Sequence, residues 1–250
     1  MSDIAAERDG NILSIQLNRP AKKNAMTSSM YVSIAELLNG AAKDDQIRVV
    51  LWHAAGNSFS AGNDIEDFVK NPPAPGESPQ AQLIHALINF EKPLVAAVQG
   101  AAIGGGTTML AHCDFVYAGE SAKFQLPFVN LALVPEFGSS YLLPLRFGYT
   151  RAAELILLGK PFDASRAAEL GLVTQVVPDQ SLLATATETA RTLAAKPAAA
   201  VQASKRLMKS AMREHLEQAV KLENEVFAER VRSDEAKQAF TAFFARRQPA

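Results

Sequence analysis

Two short glycine-bearing loops and one carboxylate carry the chemistry this sequence can do. Residues 59–64, FSAGND, and residues 103–106, IGGG, each follow an apolar run, and TTMLAHC after the second reads as a helix. At the second loop, tight turning and close approach of a ligand both favour residues without side chains. The first amides of a helix lack intrahelical acceptors and sit at the positive end of its dipole, a ready place for an anionic oxygen. Packing of backbone against a sheet explains three glycines as well, and their spacing fits neither a dinucleotide fingerprint nor a phosphate-loop lysine motif. The carboxylate is Glu136, in LVPEFGSS, with Leu131, Leu133, Val134, Pro135 and Phe137 around it. Such neighbours strip a carboxylate of hydration and raise its pKa, which suits taking and returning a proton. A carboxylate just ahead of a helix starting near Ser139 also favours that helix's positive end. The residues alone leave both readings open.

Other reactive types carry less. The four histidines (His53, His85, His112, His215) show no metal-ligand spacing, and no Gly-x-Ser-x-Gly elbow occurs. Cys113, in the apolar stretch MLAHCDFVYA, reads as core filler, and as the single cysteine it excludes an internal disulfide. Lys205, Arg206, Lys209 and Arg213 form a basic run that reads as a solvated face rather than a nucleic-acid surface.

The elements that must position these residues alternate between strand and helix. Leu13, Ile15 and Leu17 against Ser14 and Gln16 mark a half-buried strand over 11–18, closed by Arg19-Pro20. Met30, Ile34, Leu37 and Leu38 predict a helix from about Thr27, stopping near Gly40. RVVLWH (48–53) predicts a buried strand, a helix is expected over about 80–90, and strands over 93–100, 114–118 and 173–177. Segment 71–79, NPPAPGESP, breaks regular structure and reads equally as a mobile lid or a surface insertion. After Lys196-Pro197 residues 198–247 contain no glycine and carry apolar residues at helical intervals, which predicts a helical tail beyond a boundary near 195. The class is therefore mixed α/β layers followed by helix.

The 250 residues are 48% hydrophobic and 20% charged, enough for a substantial core, and the net charge of −1 gives no global field for nucleic acid or an acidic membrane. No apolar run reaches the roughly 20 residues of a membrane span. Neither MSDIAAERDG nor ARRQPA reads as a targeting signal, so a cytoplasmic location is expected.

Taken in order, LNRPAKKNAM (17–26), FSAGNDI (59–65), VQGAAIGGG (98–106), CDFVYAGESAKF (113–124) and GLVTQVV (171–177) resemble the crotonase, or enoyl-CoA hydratase/isomerase, superfamily over nearly the whole chain. That resemblance implies a crotonase-like spiral of strand–strand–helix units over 1–195. It further implies a helical region, 196–250, used for assembly as homotrimers or dimers of trimers. It also implies an acyl-CoA substrate whose thioester oxygen is held by the amides of Asn63 and Gly105. Ala25, Ala61, Asp64, Ile65, Gly104, Phe128 and Phe137 are the substrate-binding residues it suggests, with Asp64 also fitted to cap a helix. Lys22 and Lys23 are candidates for the CoA phosphates. Phe124, Phe128 and Phe137 are candidate walls of the acyl pocket, Phe137 standing where glycine is common.

Hydratases of the superfamily hold a water between two glutamates, and by motif position those would be Thr108 and Phe128, where no carboxylate exists. The PEF segment around Glu136 is similar instead to peroxisomal-type 3-enoyl-CoA/2-enoyl-CoA isomerases, in which one glutamate is the base. A related ring-opening CoA isomerase group has an aspartate there. The resemblance thus implies an isomerase needing no metal or redox cofactor, coenzyme A being part of the substrate. Hydratase, ring-CoA isomerase, thioester hydrolase and a non-catalytic CoA- or RNA-binding scaffold stand as alternatives.

Overall fold

The computed structural model describes residues 2–71 and 78–245. Its strands are β1 (Ile4–Asp9), β2 (Ile12–Leu17), β3 (Val49–Ala54), β4 (Leu94–Val98), β5 (Ala101–Ile103), β6 (Phe115–Gly119), β7 (Lys123–Gln125), β8 (Phe162–Asp163) and β9 (Gln175–Val177). The helices are α1 (Ser28–Lys43), α2 (Ile65–Lys70), α3 (Pro79–Asn89), α4 (Gly105–Thr108), α5 (Ser139–Phe147), α6 (Tyr149–Leu158), α7 (Ala164–Glu169), α8 (Leu182–Ala194), α9 (Ala198–Arg230) and α10 (Asp234–Ala245).

The main sheet runs β1-β2-β3-β4-β6-β9, with β1 antiparallel to β2 and the other pairs parallel; a smaller sheet runs β5-β7-β8. Consecutive strands β4 and β5 therefore belong to different sheets, as do β6 and β7, and each pair is followed by helical structure. This is the strand–strand–helix spiral that the resemblance implies. Its central strands are buried on both faces. Val49 and Leu51 pack with Ala186 and Ala190 of α8, whereas Val50 and Trp52 enter the larger core with α1 and α3. That explains why β3 reads as an unbroken apolar run.

Local chemistry fixes the helix starts. Thr27 accepts from Met30 N, Ser78 from Ala81 N and Asp163 from Arg166 N. α1 passes through Gly40 and ends at Lys43, because Ala41 adds another buried contact beyond the glycine. β1, IAAERD, has little apolar alternation and forms as an edge strand by pairing residue for residue with β2. Residues 72–77 of the segment read as a lid or a surface insertion lie outside the described residues.

The basic run of the tail is a solvated face only in part: Arg206 is exposed, but two of its lysines turn inward. Lys205 is buried and donates to Asp114 at 2.6 Å and to the Lys92 carbonyl at 2.8 Å, and Lys209 reaches the Leu87 and Ile88 carbonyls. These contacts tie α9 to the end of α3 and to the residues that lead into β4 and β6. No described helix is long and apolar enough to cross a membrane. Replacing Lys205 by Ala leaves Asp114 without its cation and lowers unfolding stability by about 2–3 kcal/mol. Urea unfolding of the parent and Lys205→Ala checks this.

Candidate active site

Loop 19–26 is stitched to loop 55–64. Asn24 is fully buried; its amide donates to the Ala55 and Ser58 carbonyls at 2.8 Å each, and its Oδ1 accepts from Arg19 N. Met26 N donates to Gly62 O, and Asp64 N donates to Met26 O. A parallel bridge between Ser60 and Ala102, with Ile103 N donating to Ser60 O, lays this loop beside the turn into α4. Asn63 and Gly105 are thereby brought to one wall. Among the described residues neither of their amides donates to a protein acceptor.

Glu136 closes the other side. It is 5% exposed, and Asn63 Nδ2 lies 3.5 Å from its Oε1. A methyl carbon placed on Gly105 would lie 2.8 Å from the same oxygen, so only glycine lets the carboxylate come this close. Tyr31 OH donates to Asn63 Oδ1 at 2.7 Å. The carboxylate needs a donor and the phenol an acceptor, which orients the Asn63 amide with its nitrogen toward Glu136. Burial, reinforced by the neighbouring Glu223 carboxylate and opposed by the Asn63 amide, pushes the Glu136 pKa up to about 7.

Asn63, Gly105 and Glu136 line one cavity of about 410 Å³ together with Ala25, Ala61, Asp64, Ile65, Gly104 and Phe128. Lys22 lines it as well, but Lys23 does not. Asp64 also caps α2, accepting from Glu66 N and Asp67 N, and pairs with Arg19 at 2.6 Å. Leu131, Leu133, Phe68, Phe227 and Phe243 supply apolar wall.

Two expectations about aromatic walls are corrected. Phe137 is fully buried and does not line the cavity; its φ is 63° and its ring packs beside Tyr31 and His112, with ring centres 6.2 and 6.4 Å away. Phe124 stacks on Phe162 in the core. The side chain of Asn63, which the sequence left without a task, bonds both Tyr31 and Glu136. Thr108 is buried, with its hydroxyl 3.4 Å from the Gly104 carbonyl, and Cys113 is a buried thiol with its pKa raised to about 12. His112, whose pKa burial lowers to about 3, donates as a neutral ring to the Phe137 carbonyl at 2.7 Å. Among the described residues no group of His, Cys, Asp and Glu is arranged to hold a metal.

The sequence reading passed over Tyr31, Arg19, Asn24 and Glu223. A tyrosine one residue beyond Met30 in α1 reads as ordinary core, and Asn24 sits in a loop whose polarity suggests solvent. Its left-handed φ of 53° and its burial appear only once loop 55–64 folds over it.

Two amides without a protein acceptor and one buried carboxylate around the same cavity suit a substrate with a carbonyl oxygen and an acidic carbon beside it, because amides can stabilise the oxygen's charge as a base takes the proton. This is the equipment of an acyl-thioester enzyme. The chain belongs to the enoyl-CoA hydratase/isomerase family, whose sequence model matches residues 7–250, and it is a crotonase-type acyl-CoA enzyme. It is 35% identical over 256 aligned positions to 1,2-epoxyphenylacetyl-CoA isomerase of Escherichia coli (strain K12), covering 100% of this chain and 98% of that protein. Human enoyl-CoA delta isomerase 2 is 35% identical over 251 positions, which span 98% of this chain and 63% of the human protein. A relative named as a hydratase matches at the same 35%. The solved enoyl-CoA hydratase/isomerase from Pseudoalteromonas atlantica T6c superposes with a TM-score of 0.94 at 40% identity, covering 100% of this chain and 99% of that one.

The raised pKa of Glu136 is also a statement about stability. Its carboxyl binds a proton more tightly folded than unfolded, so its contribution is fully present below about pH 4.5 and is lost as pH rises through about 7. The whole loss is roughly 3 kcal/mol. Glu136→Gln never ionises. It is expected to unfold at a higher temperature than the parent at pH 8, with the gap closing toward pH 5. Calorimetry at the two pH values measures it.

Proposed function

We propose that the protein shifts the double bond of a 3-enoyl-CoA to give the 2-enoyl-CoA, with Glu136 as the single proton carrier. One observation carries this reading: a buried carboxylate with no cation paired to it among the described residues lies over Gly105 and Asn63, while the two positions that would complete a water-holding pair are Thr108 and Phe128. Glu136 takes the proton from C2, and the electron pair moves into the thioester carbonyl. The oxygen then carries its charge against the Asn63 and Gly105 amides. The dienolate collapses by taking the same proton back at C4, leaving the double bond between C2 and C3. Proton and electrons balance, so the reaction calls for no cofactor beyond the coenzyme A of the substrate. Lys22 at the cavity edge supports a contact with the CoA phosphates. Assembly as a homotrimer or dimer of trimers through residues 196–250 belongs to the same proposal and is read by sedimentation.

Full-length similarity to the E. coli 1,2-epoxyphenylacetyl-CoA isomerase favours a second reading, in which the same base works on a ring-bearing acyl-CoA. Absorbance of the conjugated 2-enoyl product on adding a 3-enoyl-CoA tests the first. Glu136→Gln is expected to lower that turnover by about 100- to 10,000-fold while acyl-CoA binding persists. Rapid hydration of crotonyl-CoA with no double-bond shift would sink the proposal. With the parent enzyme, kcat/KM is expected to rise with pH and level off above about 7, because Glu136 must be ionised to act. A profile flat from pH 5 to 9 speaks against Glu136 as the base.

A further inference from the structure

Glu136 is held by little of its own. Among the described residues its side chain has one hydrogen bond, a long one from Asn63. Its aim therefore depends on the turn that follows, where Phe137 and Gly138 both take left-handed φ values, 63° and 70°. A non-glycine residue rarely rests in that region unless the surroundings over-determine it. Three things do so here. Phe137 is buried and its carbonyl accepts from His112. α9 presses on Gly138 so closely that a methyl carbon there would lie 2.4 Å from Leu216 Cδ1. The third is Glu223, also on α9 and 6% exposed.

Glu223 accepts from Gly138 N at 2.6 Å through one carboxylate oxygen and from Ser140 N at 2.7 Å through the other. α5 has no side-chain cap of its own, and the buried Ser139 hydroxyl makes no hydrogen bond. The leading amides of α5 are thus capped by a residue 85 positions away in the chain. We infer that Glu223 is a positioning residue for the proton carrier: its two-pronged grip on the Gly138 and Ser140 amides fixes the turn that aims Glu136 at Gly105 and Asn63. The inference rests on Glu136 being that carrier.

Glutamine in place of Glu223 keeps the shape but turns an NH₂ group toward an amide that needs an acceptor, so one prong is lost. The two carboxylates also feel each other, since Glu223 raises the pKa of Glu136. The other titratable groups around the pair, Tyr31 on α1 and His112 after α4, stay uncharged near neutrality, and no lysine or arginine acts on either carboxyl.

The test combines Glu223→Gln, Glu136→Gln and the double variant. Glu223→Gln is expected to lower kcat on a 3-enoyl-CoA by about 10- to 100-fold, as for a base displaced by a fraction of an ångström, with KM within about twofold. Added to Glu136→Gln it should cost nothing further. In enzyme labelled with ¹³C at the glutamate carboxyls, the NMR titration midpoint of Glu136 should fall below about 7 in Glu223→Gln. A folded Glu223→Gln enzyme with parental kcat, or losses that multiply in the double variant, overturns the inference. If the parent shifts no double bond, the proposed function fails instead, and hydrogen exchange at the Gly138 and Ser140 amides still judges Glu223: unchanged protection in Glu223→Gln overturns its grip. Should Glu223→Gln not fold, Glu223→Asp keeps the charge but is too short for both amides. A lowered kcat supports the grip, and a parental kcat refutes it.

Discussion

The constraint on which the site depends is a carboxylate buried without a countercharge. Taking an ionised group out of water is strongly unfavourable unless it is paired, and among the described residues Glu136 is hydrogen-bonded by a neutral amide and neighboured by a second carboxylate, Glu223. A lysine or arginine in that place would hold the group ionised but leave it a poor base. What the fold supplies instead is enforced geometry. The stitched loops 19–26 and 55–64, the Tyr31–Asn63 bond and the His112–Phe137 bond each fix a neighbour of the carboxylate without neutralising it. The surrounding core therefore carries the unfavourable term that the site introduces, a common arrangement where function requires local strain.

Much of this was legible because the relevant signals are local. Strand alternation at Leu13–Leu17, the apolar run of β3 and the apolar neighbours of Glu136 all express burial within a few residues of the point that matters. The gaps are non-local. The pairing that makes β1 a strand lies in β2, not in IAAERD. Phe137 looked like a pocket wall because sequence does not reveal that its ring packs in the core beside Tyr31 and His112, behind the cavity lining. Tyr31 and Glu223 sit in ordinary helical patterns, and their partners lie 32 and 85 positions away. The basic residues of α9 misled in the other direction, because Lys205 finds its acceptors in the residues that lead into β4 and β6.

The tail consequently does more than cover apolar surface. Phe227 and Phe240 meet Phe68 of α2 edge to face, with ring centres 5.8 and 6.1 Å apart, so α9 and α10 brace the helix that Asp64 begins. Both ends of the cavity's wall, the Asp64 side and the Glu136 side, are thereby referred to the same long helix.

The Ser60–Ala102 bridge has a wider consequence. Asn63 and Gly105 each lie three residues beyond that pairing, so both amides are placed from one point where neighbouring backbones run about 4.8 Å apart. Such a spacing comes in fixed steps: point substitutions do not widen it by tenths of an ångström, and a register slip destroys it. Glu136 is mounted on a turn outside either sheet, where substitution can change the reagent without disturbing the ladder. On the proposed function, the architecture separates a gauge set by backbone pairing from a tool mounted outside the sheets, and a change of reaction calls for substitution on the side of the tool.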